Sequence, residues 1–310
     1  MATSGGTKAV VAALLANTGI AIAKFIGFAV TRSSSMLAES IHSVADAANQ
    51  VLLLLGGRRA KRDADDQHQF GYGRERYFWA FVVAIVLFLL GGVFALYEGI
   101  QKLLHPHDIE SPGWAIGILI AAIVMEAFSF RTAIVEARPL KGTQSWASFV
   151  RKTKNPELPV VLLEDLGAMV GLVIALAAVV LTVVTGNANF DAAGTIAIGT
   201  LLIVIAAVLA REMKSLLIGE SASEAHVASM TRAIEEADTV VRLIYLRSEH
   251  IAPEELLVAA KIEFDHELTV PDLSRAINDV EARIRDAVPI AQQLFIEPDV
   301  HAAATEQATI

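Results

Sequence analysis

Val170-Gly-Leu-Val-Ile-Ala-Leu-Ala-Ala-Val-Val-Leu-Thr-Val-Val-Thr185 runs for sixteen residues without a charge. A helix apolar on every side belongs in hydrocarbon or in the middle of a large bundle. Val82–Leu96 repeats the pattern, and the 310 residues together are 54% hydrophobic and only 19% charged. An ordinary soluble domain carries about 25% charged residues. The excess excludes a disordered chain and an ordinary soluble enzyme, and it predicts a polytopic α-helical membrane domain. Six runs approach the ~20 apolar residues that cross a bilayer: 9–30, 35–56, 77–100, 113–135, 159–184 and 190–210. There is no cysteine, so disulfides, thiol catalysis and cysteine metal sites are excluded.

The separators set the orientation. Arg58, Arg59, Lys61, Arg62, Arg74 and Arg76, then Arg138, Lys141, Arg151, Lys152 and Lys154, then Arg211 and Lys214 all fall on one side. The other side holds only Arg32 and Lys102. Lys and Arg stay with the cytoplasm, so both termini are expected there. The first apolar run has no small-residue cleavage site and matches the other runs in length, so it reads as a retained span.

After Gly219 the composition turns soluble and acidic. Residues 220–310 hold eighteen Asp and Glu against seven Lys and Arg, a net −11. The spacing predicts a helix over Ser223–Asp238, a strand over Thr239–Leu246, and a second strand over Leu256–Phe264 after the hairpin residues Pro253-Glu-Glu. A capped helix over Thr269–Ala287 and a last strand over Gln293–Ile296 follow. The order αββαβ suits a small α+β domain with helices on one face of a sheet. The expected domains are a transport domain at 1–214, a cytoplasmic domain at 215–300 and a disordered tail at 301–310.

Ionisable residues inside a span are expensive and mark function by default. The second run reads Met36-Leu-Ala-Glu-Ser-Ile-His-Ser-Val-Ala-Asp-Ala-Ala-Asn-Gln50, with Glu39, His42, Asp46 and Asn49 at offsets of three, four and three. That spacing puts all four on one helical face. His42 and Asp46, four apart, can reach one point, as paired metal ligands on a helix do. The competing account is a hydrogen-bonded polar seam between helices. The fifth run contributes the adjacent carboxylates Glu164 and Asp165, about 100° apart around the axis. One histidine with two or three carboxylates suits Zn²⁺, Mn²⁺, Fe²⁺ or Co²⁺. Glu126, mid-span in the fourth run, reads as a secondary ligand, a proton carrier or a packing hydrogen bond. Lys24 is expected to snorkel toward the outer end of the first span.

These residues resemble a known family. Ser34-Ser-Met-Leu-Ala-Glu-Ser-Ile-His-Ser-Val-Ala-Asp46 is similar to the second-helix signature of the cation diffusion facilitators. The stretch Asp65-Asp-Gln-His-Gln-Phe-Gly-Tyr-Gly-Arg-Glu-Arg-Tyr-Phe-Trp79 looks like that family's link between helices two and three. Leu162-Leu-Glu-Asp-Leu-Gly-Ala168 resembles the zinc transporter 9-like branch. The resemblance implies six transmembrane helices, a ferredoxin-like cytoplasmic domain, a homodimer, and export of a divalent cation in exchange for protons. Zn²⁺ is the first expectation, with Mn²⁺, Fe²⁺ and Co²⁺ beside it as cargo rather than cofactor.

The family's ligands fall on His42, Asp46 and Asp165, while its remaining fifth-helix position falls on Val161, which cannot coordinate. Glu164 is the expected replacement, with Glu39, Asn49 and Glu126 as secondary candidates. The link keeps Asp65 and His68 as a partial second site but has Tyr72 where a third ligand would sit. In the tail, Phe295 and Lys261 occupy family metal positions, and His250, His266 and His301 are expected to be exposed. The implied setting is the cell membrane, with no enzymatic activity and no nucleic-acid partner. The alternatives are a non-transporting metal-binding relative and, on the chemistry of His-x-x-x-Asp with carboxylates, an intramembrane metalloenzyme.

Overall fold

Each apolar run becomes a helix, and each helix overshoots its run. The computed structural model describes residues 3–32, 34–106 and 111–300, without the side chains of 3–13, 16, 31, 34, 35, 38 and 39. Glu39, His301 and the tail from residue 301 therefore lie outside the described residues. The long helices are α1 (Thr3–Thr31), α2 (Ser34–Arg59), α3 (Glu75–Val86) continued through a π-helical turn (Leu87–Val93) into α4 (Phe94–Leu104), α5 (Pro112–Lys141), α7 (Glu157–Thr185) and α8 (Asn189–Ile218). A short helix, α6 (Trp146–Lys152), sits between α5 and α7.

The overshoot has a local cause. Beyond residue 135 the helix runs on through Pro139 to Gly142, which takes a positive φ of 55° while its N–H donates to the Arg138 carbonyl. Gly186, at φ 66° and ψ 20°, ends α7 in the left-handed helical conformation. Arg58 and Arg59 close α2, and Arg138 and Lys141 close α5, where a cation complements the helix dipole. The charged stretch between the fourth and fifth apolar runs is thus mostly helical. Ala133 and Ala137 on the extended part of α5 pack with Phe149 of α6 and Leu162 of α7. Arg211 and Lys214 likewise lie in α8 rather than in a loop.

Among the described residues, four helical stretches are long and apolar enough to cross a membrane: Glu75–Leu104, Pro112–Lys141, Glu157–Thr185 and Asn189–Ile218. In α1 the described residues include the apolar stretch Asn17–Val30. In α2 the polar stripe dilutes the hydropathy. The outward surface is that of a lipid-solvated bundle, with Phe128 71% and Val184 77% exposed. Close backbone packing joins the α3–α4 helix to α8. A Cβ on Gly199 would lie 2.8 Å from the Leu96 nitrogen and 2.9 Å from the Gly92 carbonyl oxygen, so only glycine fits.

The chain divides into two compact units. One holds 1–63 and 75–214; the other holds Ala64–Arg74 and Ser215–Ile310. The second unit runs α9 (Glu224–Glu235), β1 (Val240–Ala252), β2 (Glu255–Phe264), α10 (Val270–Ala287) and β3 (Ala291–Pro298). This is the αββαβ order. The sheet order is β1-β2-β3, with β1 and β2 antiparallel and β2 and β3 parallel. Leu256, Val258, Ala260, Ile262 and Phe264 alternate inward along β2 and pack with Met230 and Ile234 of α9 and Val280 and Ile284 of α10. Ser223 and Thr269 cap the two helices by accepting from the His226 and Asp272 N–H groups. Strand β1 extends six residues past the expected end, because pairing with β2 continues to Ala252 opposite Glu255.

The link 64–74 belongs to this second unit through side-chain contacts. Phe70 meets Phe295 edge-on, with ring centroids 6.3 Å apart, and Arg74 forms an ion pair with Glu249. His250 corrects an expectation: it is 2% exposed, not a surface residue. Its backbone N–H donates to the Glu220 carbonyl, and its Nδ1 lies 3.3 Å from the Ala252 carbonyl. His266 is exposed as expected, 3.2 Å from Glu263.

Candidate metal centre

The polar stripe of α2 is buried. His42, Ser43, Asp46, Asn49 and Gln50 are each at most 6% exposed, as are Glu164 and Asp165 on α7 and Glu126 on α5. Helical spacing brings His42 Nδ1 to 3.5 Å from Asp46 Oδ1. Between helices, Asn49 Nδ2 donates to Glu164 Oε1, joining α2 to α7. On the other side of α7, Ser129 of α5 donates to Asp165 Oδ2 at 3.3 Å. Glu126, one turn before Ser129, lies within electrostatic reach of Asp46, Glu164 and Asp165.

The hydrogen-bond inventory leaves donor atoms for a ligand. Among the described residues, no hydrogen bond reaches either ring nitrogen of His42, Asp46 Oδ1, Asn49 Oδ1 or Glu164 Oε2, all buried, although His42 Nδ1 and Asp46 Oδ1 face each other at 3.5 Å. Buried polar groups are normally satisfied, so a concentration of such atoms points to a cation or protons as the intended partner. Among the described residues, no three His, Asp or Glu side chains are gathered into a ready metal cluster. The geometry is therefore that of a buried polar chamber whose side chains are not drawn together to the spacing of metal ligands.

One wall of the chamber is the π-helical turn. A Cβ on Gly91 would lie 3.7 Å from His42 Nδ1, so this bare stretch of backbone abuts the imidazole. Such turns within α-helices are often found at functional sites. Neither this turn nor Ser129 was singled out by the sequence pattern. Ser129 had a usable signal, since it follows Glu126 by three residues and shares its face. The position expected to lack a ligand, Val161, packs into the apolar cluster of Ala133, Ala137, Phe149 and Leu162.

Lys24 departs from expectation. It does not snorkel. Its side chain is 0% exposed, and its Nζ donates to Ser43 Oγ at 2.7 Å, one residue from His42.

The link residues Asp65 and His68 are exposed and engaged in a turn. Asp65 Oδ1 accepts from the Gln67 and His68 N–H groups at 3.0 and 2.8 Å, and Oδ2 accepts from the Tyr72 hydroxyl. Led by the Tyr72 hydrogen bond and the His68 N–H, these contacts pull the Asp65 carboxyl down to about 2. In the tail, Lys261 is bonded to Glu297 at 3.2 Å and Asp299 at 2.7 Å. These ion pairs raise the affinity of Lys261 for its proton.

The chain is similar to known proteins. The cation efflux transmembrane domain family matches residues 10–218. The mouse protein named proton-coupled zinc antiporter SLC30A9, mitochondrial, is 34% identical over 265 residues, 84% of this chain and 46% of that protein. Metal tolerance protein C4 of Arabidopsis thaliana is 30% identical over 267 residues, 85% of this chain and 58% of that protein. The chain thus spans about half the length of the curated relatives it matches. A solved structure of MamM-CTD, residues 215–293 of that protein, aligns with 25% of this chain and 98% of its own at 20% identity, with a TM-score of 0.24.

Proposed function

Because the chain belongs to the cation efflux family, we propose that it carries a divalent metal ion, zinc foremost, out of the cytoplasm in exchange for protons. The site is formed by His42 and Asp46 of α2 with Glu164 and Asp165 of α7. The observation that carries this reading is the bridge between the helices. The Asn49–Glu164 hydrogen bond holds the two carboxylate-bearing faces together, with unpartnered His42, Asp46 and Glu164 atoms beside it.

The chemistry follows from burial. Four carboxylates in a low-dielectric chamber cannot all stay ionised without a cation or protons. Metal ligands bind deprotonated, so an arriving divalent ion displaces protons and a returning proton helps release the ion. One imidazole with carboxylates accepts Zn²⁺, Mn²⁺, Fe²⁺ or Co²⁺, and imidazole suits zinc. The name of the mouse relative, a proton-coupled zinc antiporter, agrees with this cargo and coupling.

Six spans complete the architecture, α1 and α2 joining the four helical stretches of clear membrane length. Both termini face the cytoplasm, on the Lys and Arg bias of the loops, and the cell membrane is the setting we assign. A homodimer is the assembly we assign; the exposed Tyr245 and Phe295 on the outer face of the small sheet support it as apolar surface for a second copy. The test is zinc flux into proteoliposomes under an imposed proton gradient at fixed membrane potential. Gradient-driven uptake is expected, and flux indifferent to the gradient refutes proton exchange.

A further inference from the structure

We propose that Lys24 is a resident counter-cation of the metal chamber, a positioning charge on α1 that keeps the divalent ion from being held too tightly to leave. The inference rests on the transport reading above and assigns a residue outside the ligand set. An ammonium group is among the costliest groups to bury in hydrocarbon, and it persists only beside compensating charge or hydrogen bonds. Lys24 is fully buried on α1, yet its Nζ is delivered to Ser43 on the ligand-bearing stripe of α2. The hydroxyl it holds lies between His42 and the next turn, which carries Asp46. Its charge reaches both His42 and Asp46. The close approach of α1 and α2 makes this possible, since a Cβ on Gly27 would fall 2.6 Å from Met36 Cε.

The consequence is electrostatic. Charge interactions weaken slowly with distance where water is excluded. A fixed positive charge beside the chamber lessens the mutual repulsion of Asp46, Glu164, Asp165 and Glu126 before metal arrives. It then repels the divalent ion that arrives. A site of several buried carboxylates would otherwise bind its cargo tightly and release it slowly. Lys24 thereby trades affinity for turnover. The serine hydroxyl is the part that holds the ammonium at the right point on the stripe.

The experiment compares wild type with Lys24→Gln, which can still hydrogen-bond Ser43, with the charge-preserving Lys24→Arg, and with Ser43→Ala. Zinc affinity is measured by calorimetry on the full chain in detergent, and zinc flux in proteoliposomes. Lys24→Gln is expected to bind zinc about tenfold more tightly, with KM and kcat both lowered. Lys24→Arg is expected to stay near wild type in both. Ser43→Ala is expected to shift affinity in the same direction as Lys24→Gln by a smaller factor. Unchanged or weaker zinc binding in a folded, monodisperse Lys24→Gln protein, while wild type transports zinc, overturns this inference alone. Failure of Lys24→Gln to fold leaves the decision to Ser43→Ala, whose unaltered affinity would likewise overturn it. A wild-type protein that neither binds nor moves zinc overturns the transport reading, and this inference with it.

Discussion

Replacing Asn49 by alanine tests the bridge on which the proposed metal centre depends. Asn49 is fully buried, and its amide is the donor that orients Glu164 across the α2–α7 contact. A hydrogen bond to a charged group contributes about 1.5–3 kcal/mol, and the partner left behind is buried and unsatisfied. At about 1.4 kcal/mol per factor of ten, that is on the order of ten- to a hundredfold in affinity. The effect of removing an orienting partner behind a metal ligand falls in the same range, about 10–100-fold. We therefore expect Asn49→Ala to weaken zinc binding by about thirtyfold, measured by calorimetry in detergent, with flux reduced in step. Thermal stability should fall too, because the bond also links two helices. Binding within twofold of wild type would refute the claim that Asn49 orients a ligand. Complete loss, equal to that of His42→Ala, would instead make Asn49 a ligand through its Oδ1.

Glu164→Gln keeps the shape and an acceptor for Asn49 but loses the anion, so zinc binding should fall at least as far as in Asn49→Ala; wild-type affinity would remove Glu164 from the site. Gly199→Ala should destabilise the protein by about 1–3 kcal/mol, because the added methyl meets backbone atoms of Gly92 and Leu96 that cannot move aside, and a melting temperature at or above wild type would contradict that packing. Asp65→Asn should leave zinc flux intact, since the oxygens of Asp65 are engaged by Gln67, His68 and Tyr72. Because the folded Asp65 carboxyl titrates at about 2, below its unfolded value of about 4, it stabilises the link above pH ~4. That contribution is lost as pH falls through 2, so the stability gap between wild type and Asp65→Asn should close over that interval; a gap constant from pH 6 to pH 2 would count against it.

Much of the architecture was legible because its physics is local or periodic. The long uncharged runs required helices wherever they stood, and the 3.6-residue period put His42, Asp46 and Asn49 on one face before any partner was known. The αββαβ order of the tail followed from alternation in β2 and from the Thr269 cap. The need of Glu164 and Asp165 for partners pointed to His42 and Asp46, and the family resemblance implied the same pairing of α2 with α7.

Tertiary structure decided what depends on approach between helices. Lys24 read as a snorkelling side chain because sequence gives only depth along a helix; its burial follows from the side of α1 that meets α2. The link 64–74 read as a partial second metal site; what sequence did not give is the packing that joins it to the small domain through Phe70 and Phe295. His250 read as exposed because a lone histidine carries no pattern, yet it is buried, its N–H bonded to the Glu220 carbonyl. Sequence determined which groups are costly in a membrane. The fold decided which of them share that cost, because charge compensation depends on distances across helices, and those distances come from the packing of every other side chain.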